Sequence, residues 1–254
     1  MLFDTHAHLD DEKFDTDREQ VIDKCKAGGV TLILNSASNI SSSLKAIGLA
    51  KKYDFIYASV GVHPHDVKDM EDDTVEVLRE LAANPKVRAI GEIGLDYHYD
   101  YSPRDVQKKR FAEQIELAKE LKLPIIVHDR ESHEDTMTIL RKTNAKECGG
   151  ILHSFSGSVE MARECLKLGF YLSISGPITF KNNRKTIEVV KEIPLDMLLI
   201  ETDSPYLTPE PFRGKRNYPG YVRHVAEKIA EIKEISFEEV AEKTMENGKR
   251  IFGI

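Results

Sequence analysis

Two kinds of block alternate along the chain: short apolar runs, and longer stretches in which apolar positions recur every three or four residues. The short runs predict strands at 3–9, 30–34, 56–62, 87–93, 123–127, 150–155, 171–175 and 197–201. The longer stretches predict helices at 15–26, 42–52, 74–83, 104–121, 132–141, 159–168 and 185–192, with two more at 221–232 and 236–252. Stop signals agree with these limits: Gly28-Gly29 follows the first helix and Pro85 the third. In the longest helix, Phe111, Ile115, Ala118 and Leu121 mark one apolar face.

Eight apolar strands alternating with helices, with no hairpin repeats, call for parallel pairing with both sheet faces covered. The count of eight predicts an α/β fold, a (β/α)8 TIM barrel forming a single domain over 1–254, with the last two helices completing the outer ring. A doubly wound open sheet is the alternative. It more usually carries a glycine-rich phosphate fingerprint after an early strand, and none is present.

Composition narrows the class further. Hydrophobic residues make up 41% and charged residues 31% of 254, values of an ordinary globular protein without low-complexity tracts. No apolar run is long enough to span a membrane, and the start Met-Leu-Phe-Asp lacks signal-peptide regions, so a cytoplasmic protein without a membrane partner is expected. Cys25, Cys148 and Cys165, without Cys-x-x-Cys spacing, suit a reducing compartment and structural roles. The net charge of −7 argues against coating nucleic acid with a broad basic face. An enzyme gripping one strand end remains open, because bound divalent cations reverse the local sign.

The candidate chemistry lies where a barrel places its active site, at the carboxyl ends of the strands. His6 and His8 are two apart on the first strand, so they project to one side, with Asp4 expected on the same face. Further strands close on His63 and His65, on Glu92 and Asp96, on His128-Asp129-Arg130, on His153, and on Glu201-Thr202-Asp203. Any one of these reads as a hydrogen-bonded cap. Jointly, four histidines and two carboxylates (His6, His8, Glu92, His128, His153, Asp203) converging on one mouth read as a metal centre.

The motifs Asp4-Thr5-His6-Ala7-His8, Gly61-Val62-His63-Pro64, Gly91-Glu92-Ile93-Gly94-Leu95-Asp96-Tyr97, Pro124-Ile125-Ile126-Val127-His128, His153-Ser154-Phe155-Ser156-Gly157 and Glu201-Thr202-Asp203-Ser204-Pro205-Tyr206-Leu207 span nearly the whole chain. Through them the chain resembles the TatD family of metal-dependent deoxyribonucleases, within the amidohydrolase-like barrel group. The resemblance implies that His6, His8 and Asp203 hold one metal, that His128 and His153 hold a second, and that Glu92 bridges them. Catalysis then falls to Asp203, as ligand and general base, and to Glu92. Two divalent ions about 3.5–4 Å apart clamp the attacking and leaving oxygens of a phosphodiester. The imidazoles favour zinc, manganese, iron or nickel, whereas the carboxylates and a phosphate substrate suit magnesium or manganese. Several relatives in the larger group bridge their metals with a modified lysine on strand four; Glu92 at that place favours the TatD-like reading over a cyclic-amide or phosphotriester hydrolase.

Secondary assignments follow. His63 contacts substrate phosphate or braces a ligand, and Arg130 pairs with a phosphate or forms a surface ion pair. Tyr97 and Phe155 stack on a base or pack in the core. The run Arg213-Gly214-Lys215-Arg216 reaches phosphates or is a solvated loop. Tyr218, in Asn217-Tyr218-Pro219, departs from the family pattern and bears on substrate choice. His65, His98 and His133 read as surface residues, and His224 lies on an outer helix. The expected activity is hydrolysis of DNA from a single strand or strand end, with no obligate protein partner. The alternatives are an ester or amide hydrolase, such as a D-aminoacyl-tRNA deacylase, and a non-catalytic binding module, which would be expected to lose a ligand.

Overall fold

The computed structural model describes residues 1–254. Strands β1 (Leu2–Ala7), β2 (Val30–Asn35), β3 (Ile56–Val60), β4 (Val87–Asp96), β5 (Ile125–Arg130), β6 (Gly150–Leu152), β7 (Phe170–Ile174) and β8 (Leu198–Ile200) pair in chain order, every neighbour parallel. Helices α1 (Arg18–Ala27), α2 (Ile40–Lys52), α3 (Thr74–Ala82), α4 (Arg104–Leu121), α5 (His133–Lys142), α6 (Val159–Lys167) and α7 (Arg184–Glu192) fill the crossovers. Two more, α8 (Val222–Lys233) and α9 (Phe237–Phe252), follow β8. The predicted TIM barrel is the fold observed. None of its helices is long and apolar enough to cross a membrane.

The barrel closes between β1 and the segment just after β8. Asp203 N–H donates to His6 O at 2.9 Å, His8 N–H donates to Ser204 O at 2.8 Å, and Ala7 bridges Ser204 in parallel fashion. Inside, Phe3, Leu34, Ala89, Ile126, Ile151 and Leu199, each from a different strand, pack together with Phe252 of α9. Between strands and helices a second layer includes Leu78, Phe111, Ile115, Val189 and Val225, all fully buried. These are the apolar faces that the helical periodicity foretold.

Two irregularities aim side chains. Against β2, three residues of β1 advance for two of its partner between Asp4 and Ala7, and against β5, three residues of β4 advance for two between Ile90 and Ile93. Such bulges break strict alternation and re-aim the residues they contain. His6 lies within the first and Glu92 within the second. Alternation therefore misplaces Asp4: it accepts hydrogen bonds from Thr202 N and Oγ1 across the closing seam and stands apart from the histidine side chains. Glu92 sits inside a strand that continues to Asp96, three residues past the end at 93 that the sequence pattern predicts. β4 and β5 approach closely because Gly94 has φ 143°, and a Cβ there would lie 2.0 Å from His128 O.

Helix α4 carries two polar residues on its buried face, Gln107 and Gln114, spaced by two turns. Gln114 accepts from Val62 N at 2.8 Å and donates to Val62 O at 3.1 Å; Gln107 does the same for Asp96 N at 2.9 Å and Asp96 O at 3.1 Å. Val62 lies past the end of β3, and Asp96 lies beyond the last β3–β4 pair, Val60 with Ile90, so these amides satisfy groups that burial would otherwise orphan. Gln114→Leu should therefore leave the Val62 N–H and C=O buried and unpaired, lowering stability by about 1–3 kcal/mol for each group. A denaturant midpoint equal to that of the wild type would show that these bonds contribute nothing net.

Candidate metal centre

The centre is built around Glu92, whose residue is 3% exposed. Its Oε2 lies 3.2 Å from His6 Nε2 and 3.5 Å from His8 Nε2, while Oε1 lies 2.8 Å from both His128 Nδ1 and His153 Nε2. Asp203 Oδ1 completes the first group at 3.3 Å from His8 Nε2 and 3.6 Å from His6 Nε2. Asp203 reaches there because it takes the left-handed conformation, φ 57°, three residues past the end of β8 and anchored to β1. Thus one carboxylate faces two separate groups of imidazole nitrogens.

The outer nitrogens of the rings fix which lone pairs point inward. His8 Nδ1–H donates to Ser36 O at 2.9 Å, which leaves Nε2 bare in the neutral ring. His128 Nε2–H donates to Asp96 Oδ2 at 3.0 Å, which leaves Nδ1 bare. Bare nitrogens therefore meet carboxylate oxygens, acceptor against acceptor, and only a positive charge satisfies such an arrangement. His63 differs: its Nδ1 accepts from His65 N at 3.2 Å, so its Nε2–H faces Glu92 Oε1 at 3.4 Å as a donor. The N and O donors of both groups fit divalent transition cations; His63 clusters with Glu92 and His128 closely enough to hold one too, but in this tautomer it presents a proton in place of a lone pair.

The proton affinities show the same demand for positive charge. Burial pulls the His8 pKa down, but the hydrogen bond to Asp203 and the charge of Glu92 outweigh it and lift the value to about 9. His128 and His153 are likewise raised against burial, His128 chiefly by hydrogen bonds to Asp96 and Glu92, and His153 by the charge of Glu92 and by Glu201. Glu92 itself is held well below its ordinary value: burial would raise it, and the surrounding histidines overcome that. Asp203 is lowered against burial mainly by His8. His63 falls to about 4, because burial dominates and His128 adds to it despite Glu92.

A cavity of about 1060 Å³ opens above the centre. Carboxylates outnumber basic side chains on its walls, the latter being Lys45, Arg130 and Lys185. The structure brings all six sequence-assigned ligands together and sets His63 and Arg130 in the same cavity. Arg130 forms no ion pair; its guanidinium lies 5.1 Å over the Tyr99 ring.

Other expectations need correction. His65 is no surface residue: its Nε2–H donates to Asp96 Oδ2 at 2.9 Å, on the oxygen that also holds His128. Tyr97 is directed away from the cavity, its hydroxyl donating to Asp135 at 2.7 Å with Arg104 over its ring. Phe155 lines the cavity but is nearly buried. Arg216 is bound to Asp17 and Arg213 covers Phe180, so the basic run does not face the centre. Tyr218 packs on Tyr221 and under Lys24, remote from the cavity walls.

Asp96 and Glu201 stand in the strand-end motifs without a role legible from the sequence. Asp96 orients His128. Glu201 Oε1 accepts from Ser154 N at 2.7 Å and lies 3.4 Å from His153 Nδ1, behind the ring. The available signal was a second carboxylate on the same strand end as a ligand, since ligating histidines usually have such a partner.

Comparison with known proteins agrees with this architecture. The family described as TatD related DNase matches residues 3–253. The metal-dependent hydrolase YabD of Bacillus subtilis is 56% identical over 254 residues, with all of each chain covered. The 3'-5' ssDNA/RNA exonuclease TatD of Escherichia fergusonii is 36% identical over 259 residues, covering 100% of this chain and 99% of that one. The crystal structure of YjjV, a TatD homologue from Escherichia coli, superposes with a TM-score of 0.94 at 31% identity, covering 100% and 98% of the two chains. The fold and the clustered donors define a barrel hydrolase of the metal-dependent class. The chain belongs to the TatD related DNase family.

Removing the carboxylate that orients His128 tests the arrangement. Asp96→Ala is expected to weaken metal binding in the His128 half by about 10- to 100-fold. Calorimetric titration with manganese measures this, and unchanged affinity would deny Asp96 that role.

Proposed function

We propose that this protein removes nucleotides from the end of a single nucleic-acid strand, DNA in the first instance, by hydrolysing phosphodiester bonds with two divalent ions. His6, His8 and Asp203 would hold one ion, His128 and His153 the other, and Glu92 would serve both; manganese, magnesium and zinc all suit this donor set. The observation that carries the reading is the division of the two Glu92 oxygens between two groups of imidazoles. When bound, the ions supply Lewis-acid stabilisation of the negative charge that develops on the phosphoryl oxygens. The relative named as a 3'-5' ssDNA/RNA exonuclease supports the choice of substrate.

The protein's own groups divide the remaining tasks. Asp203 stays ionised under the influence of His8, so it is ready to accept the proton of the attacking water. His63, neutral at working pH and presenting an N–H toward Glu92, can hydrogen-bond a phosphate oxygen without adding charge. Arg130 and Lys45, at the cavity wall, draw the flanking phosphates. The surplus of carboxylates over Lys45, Arg130 and Lys185 on the cavity walls disfavours a polyanion until cations bind, which makes metal loading a condition for substrate binding.

One assay tests the reading. End-labelled single-stranded DNA, duplex DNA, RNA and D-aminoacyl-tRNA are offered side by side with manganese or magnesium. Stepwise shortening of the single strand is expected, with chelator abolishing both turnover and oligonucleotide binding. Rapid deacylation with DNA intact would overturn the proposal.

The two carboxylates should fail differently. Glu92→Gln removes a negative charge shared by both ion sites, and metal content is expected to fall from two ions toward one or none. Asp203→Asn keeps one oxygen donor but loses the base, so turnover should drop by about 100- to 10,000-fold with most metal retained. Metal analysis beside single-turnover rates separates the cases. An Asp203→Asn protein holding both ions at near-normal turnover would assign the base elsewhere.

A further inference from the structure

We infer that Tyr99 and Tyr101 form a stacking platform for the unpaired terminal base of the strand; this rests on the proposed nucleolytic function. Both side chains line the cavity and are among the few large apolar groups left open to solvent, 45% and 55% exposed. Their rings are stacked on each other, centroids 5.2 Å apart and 25° from parallel. That separation admits no base between them, and Arg130 lies over Tyr99, so a base lies on the outer face of Tyr101. A nucleobase inside a duplex has both faces covered by neighbours, whereas an unpaired end base has a face to offer.

The platform is fixed in position. His65 meets both rings edge-on, at 5.3 Å from Tyr99 and 4.8 Å from Tyr101, and Arg130 lies over Tyr99. Asp96 links it to the centre: Oδ1 accepts from His98 N and Tyr99 N at 3.0 and 2.9 Å, while Oδ2 holds His65 and His128. One carboxylate therefore sets both the ring of a candidate metal ligand and the backbone that bears the tyrosines. Arg130, two residues past His128 on β5, lines the same cavity and offers a charge to a phosphate joined to the stacked nucleotide. The other open aromatic of the cavity, Tyr206, is 44% exposed but unsuited: its hydroxyl donates to Asp11 and its face is covered by Lys13 at 4.1 Å.

Stacking on aromatic side chains contributes about 1–3 kcal/mol per base without regard to sequence, equivalent to about 5- to 150-fold in kcat/KM. The test compares wild type, Tyr99→Ala/Tyr101→Ala and Tyr99→Phe/Tyr101→Phe on two single-stranded oligonucleotides. One is intact; the other is abasic at the nucleotide of the end from which the strand is shortened. The alanine variant should lose that factor on the intact strand and match the wild type on the abasic one, where no base is present to stack, and phenylalanine should restore the loss. A terminal 2-aminopurine should be quenched on binding to the wild type and to the phenylalanine variant, and remain bright with the alanine variant. Equal rates of all three proteins on the intact strand, or an equal loss by the alanine variant on both strands, would overturn the platform while leaving the nuclease function standing. A wild type that leaves every oligonucleotide intact and unbound would remove both.

Discussion

A carboxylate withdrawn from water keeps its charge only if positive charge meets it, and Glu92 is such a carboxylate. Much of the polar structure at the barrel mouth follows from this. Imidazoles from β1, β5 and the β6 end turn their bare nitrogens toward its two oxygens, and Ser36, Asp96 and Glu201 stand behind three of those rings. The outer hydrogen bonds select the tautomer, and the tautomer leaves acceptors facing acceptors in the middle. The same demand raises the His8, His128 and His153 pKa values against burial, while burial and the neighbouring His153 lower that of His6. Divalent ions would meet it with more charge than protons in the same space.

The scaffold meets that demand through backbone positions at the limit of regular sheet. Closure of the barrel brings β1 against the segment after β8, so the bonds that end the sheet also set His6 and His8 beside Asp203. Opposite, the glutamines of α4 hold the overrunning ends of β3 and β4 by their peptide groups. Bulges in β1 and β4 supply the extra residue that turns His6 and Glu92 inward. Each device compensates a loss of regular hydrogen bonding. The core beneath, dry and close-packed, supplies the stability that tolerates them.

The cavity has an unusual balance for a nucleic-acid enzyme. The chain as a whole is acidic, and so are the cavity walls, with Lys45, Arg130 and Lys185 as the permanent positive charges there. Affinity for a polyanion then rests on bound cations, a few basic side chains at the rim, and stacking surface. Few phosphates can be neutralised at once by so few charges, which is the electrostatic ground of the strand-end proposal.

The pattern of apolar runs was enough to specify eight strands, their parallel order and the closed barrel, because strand and helix periods are local properties of the chain. The six candidate ligands at the strand ends were legible for the same reason: a polar residue ending an apolar run is visible without coordinates. What lay beyond reach depends on neighbours distant in sequence. Asp4 left the histidine face because a one-residue bulge against β2 shifted the register. His65 and Asp96, 31 residues apart, became the support of His128 only when β3 and β4 were placed side by side. The aromatic surface at the mouth moved from Tyr97 to Tyr99 and Tyr101, since Tyr97 found Asp135 on α5 as a partner. Side-chain direction and partnership are tertiary properties, set by which strands meet and where their registers slip.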